Sequence, residues 1–91
     1  MTIHHLNITI TGKVQGVYYR ASAKQKADEL GVKGFVRNQP SGSVYIEAEA
    51  SNEVLQKFME WCWQGPERAQ VQQVETSEAP LQNFTEFEVR R

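Results

Sequence analysis

A chain of 91 residues with 40% apolar side chains is long enough for one modest core and too apolar for a disordered tail. Its formal charge of −1 gives no overall attraction for nucleic acid, and no apolar run approaches the ~20 residues that a helix needs to cross a bilayer. One cysteine, Cys62, excludes an internal disulfide, and Met1 to His5 has neither the basic nor the apolar part of a secretion signal, so a cytoplasmic protein is expected.

Residues Ile3 to Thr11 alternate, with Leu6, Ile8 and Ile10 on one face and Thr9 and Thr11 on the other, which predicts a half-buried strand. His4 and His5 are neighbours and point to opposite faces of such a strand. No other histidine exists, so no metal site is expected. After a glycine-containing turn, Ala21 to Leu30 reads as a helix with Ala23, Ala27 and Leu30 on one face. Ser22 is its candidate cap, and Gly31 stands where a helix stops.

Lys33 to Asn38 reads as a second strand and Ser43 to Ala50 as a third, joined by the turn Gln39-Pro40-Ser41-Gly42 into an antiparallel hairpin. Val44, Ile46, Ala48 and Ala50 share one face of the third strand; Tyr45, Glu47 and Glu49 share the other. A second helix starts at Ser51 or Asn52, either of which can cap it, and ends before Gly65-Pro66. Val54, Leu55, Phe58, Met59 and Cys62 form its apolar stripe, with Trp61 and Trp63 at the edges, so Cys62 reads as a core residue and not as a nucleophile. Arg68 to Thr76 reads as a fourth strand, where the three-residue step from Val71 to Val74 implies a bulge. Ser77 to Asn83, with Pro80, reads as a loop, and Phe84 to Arg91 as a short last strand. The order predicts a single domain over residues 1–91, an α+β two-layer sandwich of split β-α-β type, with an antiparallel sheet and both helices on one face.

The chemistry concentrates between Gly12 and Arg20. A strand, a glycine turn and a helix start bring free backbone N–H groups to one point, and Arg20 adds a planar, always-charged fork suited to phosphate oxygens. The same residues also read as an ordinary strand-to-helix connection with a surface arginine. Charge is uneven: Lys13, Arg20, Lys24, Lys26, Lys33 and Arg37 face only Asp28 and Glu29 in that stretch, while acids dominate after Ser41. No Ser-His-Asp or Cys-His set can be assembled, and there is no Gly-Lys-Ser/Thr phosphate loop. Asp28 is the one aspartate, which leaves no obvious carboxylate set for magnesium. What remains is electrostatic binding of a phosphate beside a positioned water.

Gly12-x-Val14-Gln15-Gly16-Val17-x-Tyr19-Arg20 resembles the acylphosphatase signature, and Gly31-x-x-Gly34-Phe35-Val36-x-Asn38-x-x-x-Gly42-x-Val44 is similar to that family's other motif. The likeness extends over Phe58, Trp61, Gly65-Pro66, Ala69, Val71, Val74 and Phe87. It implies a ferredoxin-like strand order and hydrolysis of acyl phosphates, small or protein-borne, to a carboxylate and inorganic phosphate, without metal or organic cofactor. By this resemblance Arg20 matches the phosphate-binding catalytic arginine and Asn38 the water-positioning asparagine. Gln15, Gly16, Val17, Tyr18 and Tyr19 match the cradle whose backbone N–H groups hold the phosphate. Ser41-Gly42, Phe35, Ala50 and Tyr19 stand where aspartate-glycine, tryptophan, glycine and phenylalanine are usual, which touches substrate preference and not the reaction class.

Two other readings compete. Lys33-Gly34-Phe35 starts like an RNA-recognition core motif, but Val36 and the missing later aromatics break the match. A non-catalytic phosphate-ligand-binding or regulatory domain of the same fold would share the cradle, as the likeness also reaches domains of larger hydrogenase-maturation enzymes. The chain has no zinc-finger-like cysteines and reads as complete at 91 residues, so a free-standing monomeric enzyme is expected, with no nucleic-acid or membrane partner.

Overall fold

The alternating first segment forms the long strand β1 (Ile3–Lys13), and its apolar face becomes the centre of a sheet. The computed structural model describes residues 2–91. Along the chain follow α1 (Tyr19–Leu30), β2 (Lys33–Asn38), β3 (Val44–Ser51), α2 (Asn52–Gln64), β4 (Gln70–Ala79) and β5 (Phe87–Val89). The strands lie in the order β4-β1-β3-β2-β5, and β1 pairs antiparallel with both β3 and β4. Ile8 faces Ile46, which faces Val36, so three strands stack apolar side chains in one row, all fully buried. Helix α1 packs against β2 and β5, and α2 against β1, β3 and β4, so one face of the sheet carries both helices, as expected.

The sheet is mixed and not purely antiparallel. Strand β5 runs parallel to β2, with Gly34 opposite Phe87 and Val36 opposite Val89. The cause is the crossing between the last strands. Residues 80–86 carry the chain from β4 at one edge to the other edge, and the direction it arrives in matches β2. The last strand is shorter than the predicted Phe84–Arg91. Strand β4 runs past Thr76 to Ala79, so the loop starts later than its polar sequence implied. The predicted bulge is present: Thr11 faces Gln73 but Gly12 faces Val71, leaving Gln72 as the extra residue.

Helix α1 begins at Tyr19, two residues before the predicted Ala21, and Ser22 does not cap it. The residue ahead of the helix, Tyr18, is left-handed (φ 62°) and its side chain makes no capping bond, while the N–H of Ser22 already donates to the Tyr18 carbonyl at 3.0 Å. Gly31 closes the helix, its N–H donating to the Ala27 carbonyl. Helix α2 is capped by Ser51, whose hydroxyl accepts the N–H of Val54 at 3.4 Å, and it buries Leu55, Phe58 and Cys62. Phe58 meets Phe87 edge-on with ring centres 6.0 Å apart, which ties α2 to the short β5.

The other face of the sheet holds a polar cluster that the pattern of apolar residues did not reveal. His5 and Glu49 are opposite each other on β1 and β3, and both are buried. His5 Nδ1 lies 2.7 Å from Glu49 Oε2, while Nε2 lies 2.9 Å from Asn7 Oδ1 and 3.1 Å from Glu47 Oε1. Glu49 also accepts the backbone N–H groups of Gln82 and Phe84, so one carboxylate pins the crossing segment to the sheet. The Phe84 ring covers His5 at 5.8 Å between centres. His4 points the other way, is only half-buried, and meets Glu78.

Candidate active site

The connection between β1 and α1 is built for free N–H groups. Gly16 (φ 73°) and Tyr18 (φ 62°) are both left-handed, which curls residues 15–18 into a concave turn directly ahead of the helix. Among the described residues, the amides from Gln15 to Ala21 donate to no protein acceptor. Three of them belong to the first turn of α1, where the missing cap leaves the helix dipole exposed. The absent capping bond and the strained tyrosine are therefore what leave these amides unpartnered at the helix start.

Gln15 has a second task that its place in the motif did not announce. Its side-chain amide donates to the carbonyls of Gln39 (2.8 Å) and Ser43 (2.9 Å), tying the turn to the β2–β3 connection. Asn38 ends β2 immediately before that connection, on the same face as Val36, and is thereby held beside the start of α1. Its carboxamide has no partner among the described residues, so both the donor and the acceptor end are available.

Arg20 is half-buried and pairs with no carboxylate among the described residues. One guanidinium nitrogen donates to the Arg90 carbonyl at 3.2 Å, and Lys24 donates to the Phe87 carbonyl at 2.9 Å. Arg90, immediately after the last strand, thus steadies the arginine and leaves its other N–H groups unused.

Tyr19 is not a surface participant. Its ring is buried, and its hydroxyl donates to the Cys62 carbonyl at 2.7 Å. Four residues after Cys62 stands Pro66, which has no N–H, so this carbonyl at the end of α2 lacks its ordinary helical partner and Tyr19 supplies one. Burial pushes the Tyr19 phenol well above its usual range and pushes the Cys62 thiol up to about 12, which leaves no thiolate for nucleophilic attack. Tyr19→Phe is expected to lower stability by about 1–3 kcal/mol in urea denaturation, since a buried carbonyl loses its donor, while acyl phosphate turnover persists because the ring still packs.

Gly16, Tyr18, Arg20 and Asn38 open on one cavity of about 740 Å³, together with Arg68 and Arg91. In this turn Val17 is buried and Tyr18 is 79% exposed. Three arginines and no acid line the space. By contrast the groove of about 360 Å³ beside Leu6, Leu55, Met59 and Trp63 has no cation on its wall. The two additional arginines lie far along the chain from the glycine turn, and only the fold brings them there.

The family model described as acylphosphatase matches residues 6–89. The chain belongs to the acylphosphatase family. It is 53% identical over 88 residues to an acylphosphatase of Marinobacter nauticus, covering 96% of both chains. The structure of an acylphosphatase from Coxiella burnetii superposes with a TM-score of 0.93 at 35% identity, covering 97% of this chain and 93% of that one. The crystal structure of the acylphosphatase from Bacillus subtilis superposes with a TM-score of 0.94 at 28% identity, covering 99% of this chain and 100% of that one. The reaction is therefore that of an acylphosphatase, hydrolysis of an acyl phosphate to a carboxylate and inorganic phosphate. In the acylphosphatase fold seen here, no helix among the described residues is long and apolar enough to cross a membrane.

Proposed function

We propose that the Arg20 guanidinium and the amides of Gln15, Gly16, Val17, Tyr18, Tyr19 and Arg20 hold the phosphoryl group, and that the Asn38 carboxamide orients the attacking water. The observation that carries this reading is the convergence of an unpaired arginine, an unpartnered asparagine and the free-amide residues Gly16, Tyr18 and Tyr19 on one cavity without an acid; Gln15 and Val17 belong to the same turn but do not line that cavity. Water adds to phosphorus in line, the bond from phosphorus to the acyl oxygen breaks, the carboxylate departs, and one proton passes from the water to the products. The leaving group is a stabilised carboxylate, so little acid assistance is needed. Arg20 and the amide dipoles supply the positive charge, so the reaction proceeds without a metal ion. We further read residues 1–91 as one catalytic domain that works as a monomer in the cytoplasm, on small or protein-borne acyl phosphates.

Benzoyl phosphate tests the core of this reading. Hydrolysis is expected to continue undiminished in the presence of a chelator, with inorganic phosphate as a competitive inhibitor because the product occupies the same cradle. Turnover abolished by the chelator and restored by a divalent ion would overturn the metal-free mechanism.

A further inference from the structure

The cradle accounts for one phosphoryl group, yet the cavity around it holds more positive charge than that group requires. Arg68 and Arg91 face the same space as Arg20, and neither makes an ion pair among the described residues. Glu67, next to Arg68 in sequence, does not line the cavity and does not pair with it. About 740 Å³ is also far more room than a phosphoryl group fills.

Arg68 is carried on a fixed turn and not on a loose loop. The N–H of Ala69 donates to the Pro66 carbonyl at 3.0 Å. Gly65 sits so close that a Cβ there would come within 3.1 Å of both Ala69 and the Tyr19 ring. Tyr19 in turn is bonded to the end of α2, and the same residue opens α1. The start of α1 and the turn bearing Arg68 are therefore locked against one another by a buried ring, which sets the Arg68 backbone beside the cradle, while its exposed side chain lines the same cavity.

Resting on the roles assigned to Arg20 and the cradle above, we propose that Arg68 is a specificity-determining residue that selects acyl phosphates whose acyl group carries its own negative charge. A neutral acyl group leaves the guanidinium solvated and gains nothing from it. A carboxylate on the acyl group can accept two parallel N–H bonds from it. Because the group is exposed and partly screened, the expected preference is modest.

Benzoyl phosphate and its 3- and 4-carboxy derivatives distinguish the outcomes, compared in wild type, Arg68→Gln and Arg68→Lys. Wild type is expected to favour a carboxylated substrate by about fivefold in kcat/KM, carried by KM and weakened by added salt. In Arg68→Gln that ratio falls towards one, and Arg68→Lys recovers most of it. A merely structural role for Arg68 would move both substrates together and leave the ratio alone. Equal kcat/KM for charged and neutral substrates in wild type, or a preference retained in Arg68→Gln, overturns the inference while the cradle stands. Failure of wild type on plain benzoyl phosphate would remove the cradle reading itself, and this inference with it.

Discussion

Asn38→Ala is expected to lower kcat for benzoyl phosphate by about 100- to 1,000-fold, with little change in KM. The substitution removes the group assigned to the attacking water and leaves untouched the curled turn, the free amides and Arg20. Phosphate as a competitive inhibitor should accordingly bind the variant as it binds wild type. Arg20→Ala behaves differently, because it deletes the fixed charge: KM and the inhibition constant for phosphate rise as kcat falls. Steady-state kinetics of the two variants side by side separates the roles. Near-normal kcat in Asn38→Ala would end its assignment as the water-positioning group.

Glu49→Ala should be the most damaging change away from the site, lowering stability by about 3–5 kcal/mol. The carboxylate is buried and serves three donors at once: the His5 ring and the amides of Gln82 and Phe84. Its removal strands all three and unpins the crossing segment, so a fall in melting temperature of roughly 15–30 °C is expected for a domain of this size. The same pair gives stability a pH dependence. Burial pulls the His5 imidazole down, but the bonds to Glu49 and Asn7 and the charges of Glu47 and Glu49 outweigh it, so its pKa is raised above 6.5. Burial pushes Glu49 up, but the bonds from His5, Gln82 and Phe84 outweigh it, so its pKa lies below 4.5. The raised histidine stabilises fully below pH 6.5 and stops doing so as pH rises through its folded value; the depressed carboxylate stabilises fully above pH 4.5 and stops as pH falls through its own. Urea midpoints of wild type should therefore peak between pH 4.5 and 6.5 and fall on both sides. In Glu49→Ala the profile should flatten. A wild-type midpoint that stays level from pH 6 to 9 would contradict the histidine's part.

Much of this architecture is legible in the residues, and the gaps have physical causes. The stripe Leu55, Phe58, Cys62 and the row Leu6, Ile8, Ile10 are spaced by the geometry of helix and strand, and both face the core as expected. The parallel β5 is not legible, because three residues carry an alternation but no direction. Strand β4 outruns its apolar pattern because its second half is polar and exposed, as an edge strand can be. Ser22 is a reasonable cap by residue type, but the left-handed Tyr18 starts the helix earlier. A tyrosine in that conformation is rare, and no neighbouring residue type signals it. His5 and Glu49 lie on the face where polar residues are expected in water. They are buried because a segment more than thirty residues beyond Glu49 folds over them. At the site, the glycine spacing points to the turn, while Arg68 and Arg91 carry no local signal.

The strand order has a consequence for the chain during synthesis. Strand β1 lies inside the sheet, yet both its neighbours are made long after it: Ile3 pairs with Ser51 and Lys13 with Gln70. At 5–20 residues per second, β1 waits about 3–13 s for the last of its partners. The edge that meets β3 can be covered as soon as Ser51 has been made, but the edge that meets β4 stays bare throughout that time. A nascent strand of that length, apolar on both faces, would be prone to sticking to its neighbours on the ribosome. Asn7, Thr9 and Thr11 break the apolar run at every second position, so the waiting strand shows only one greasy side.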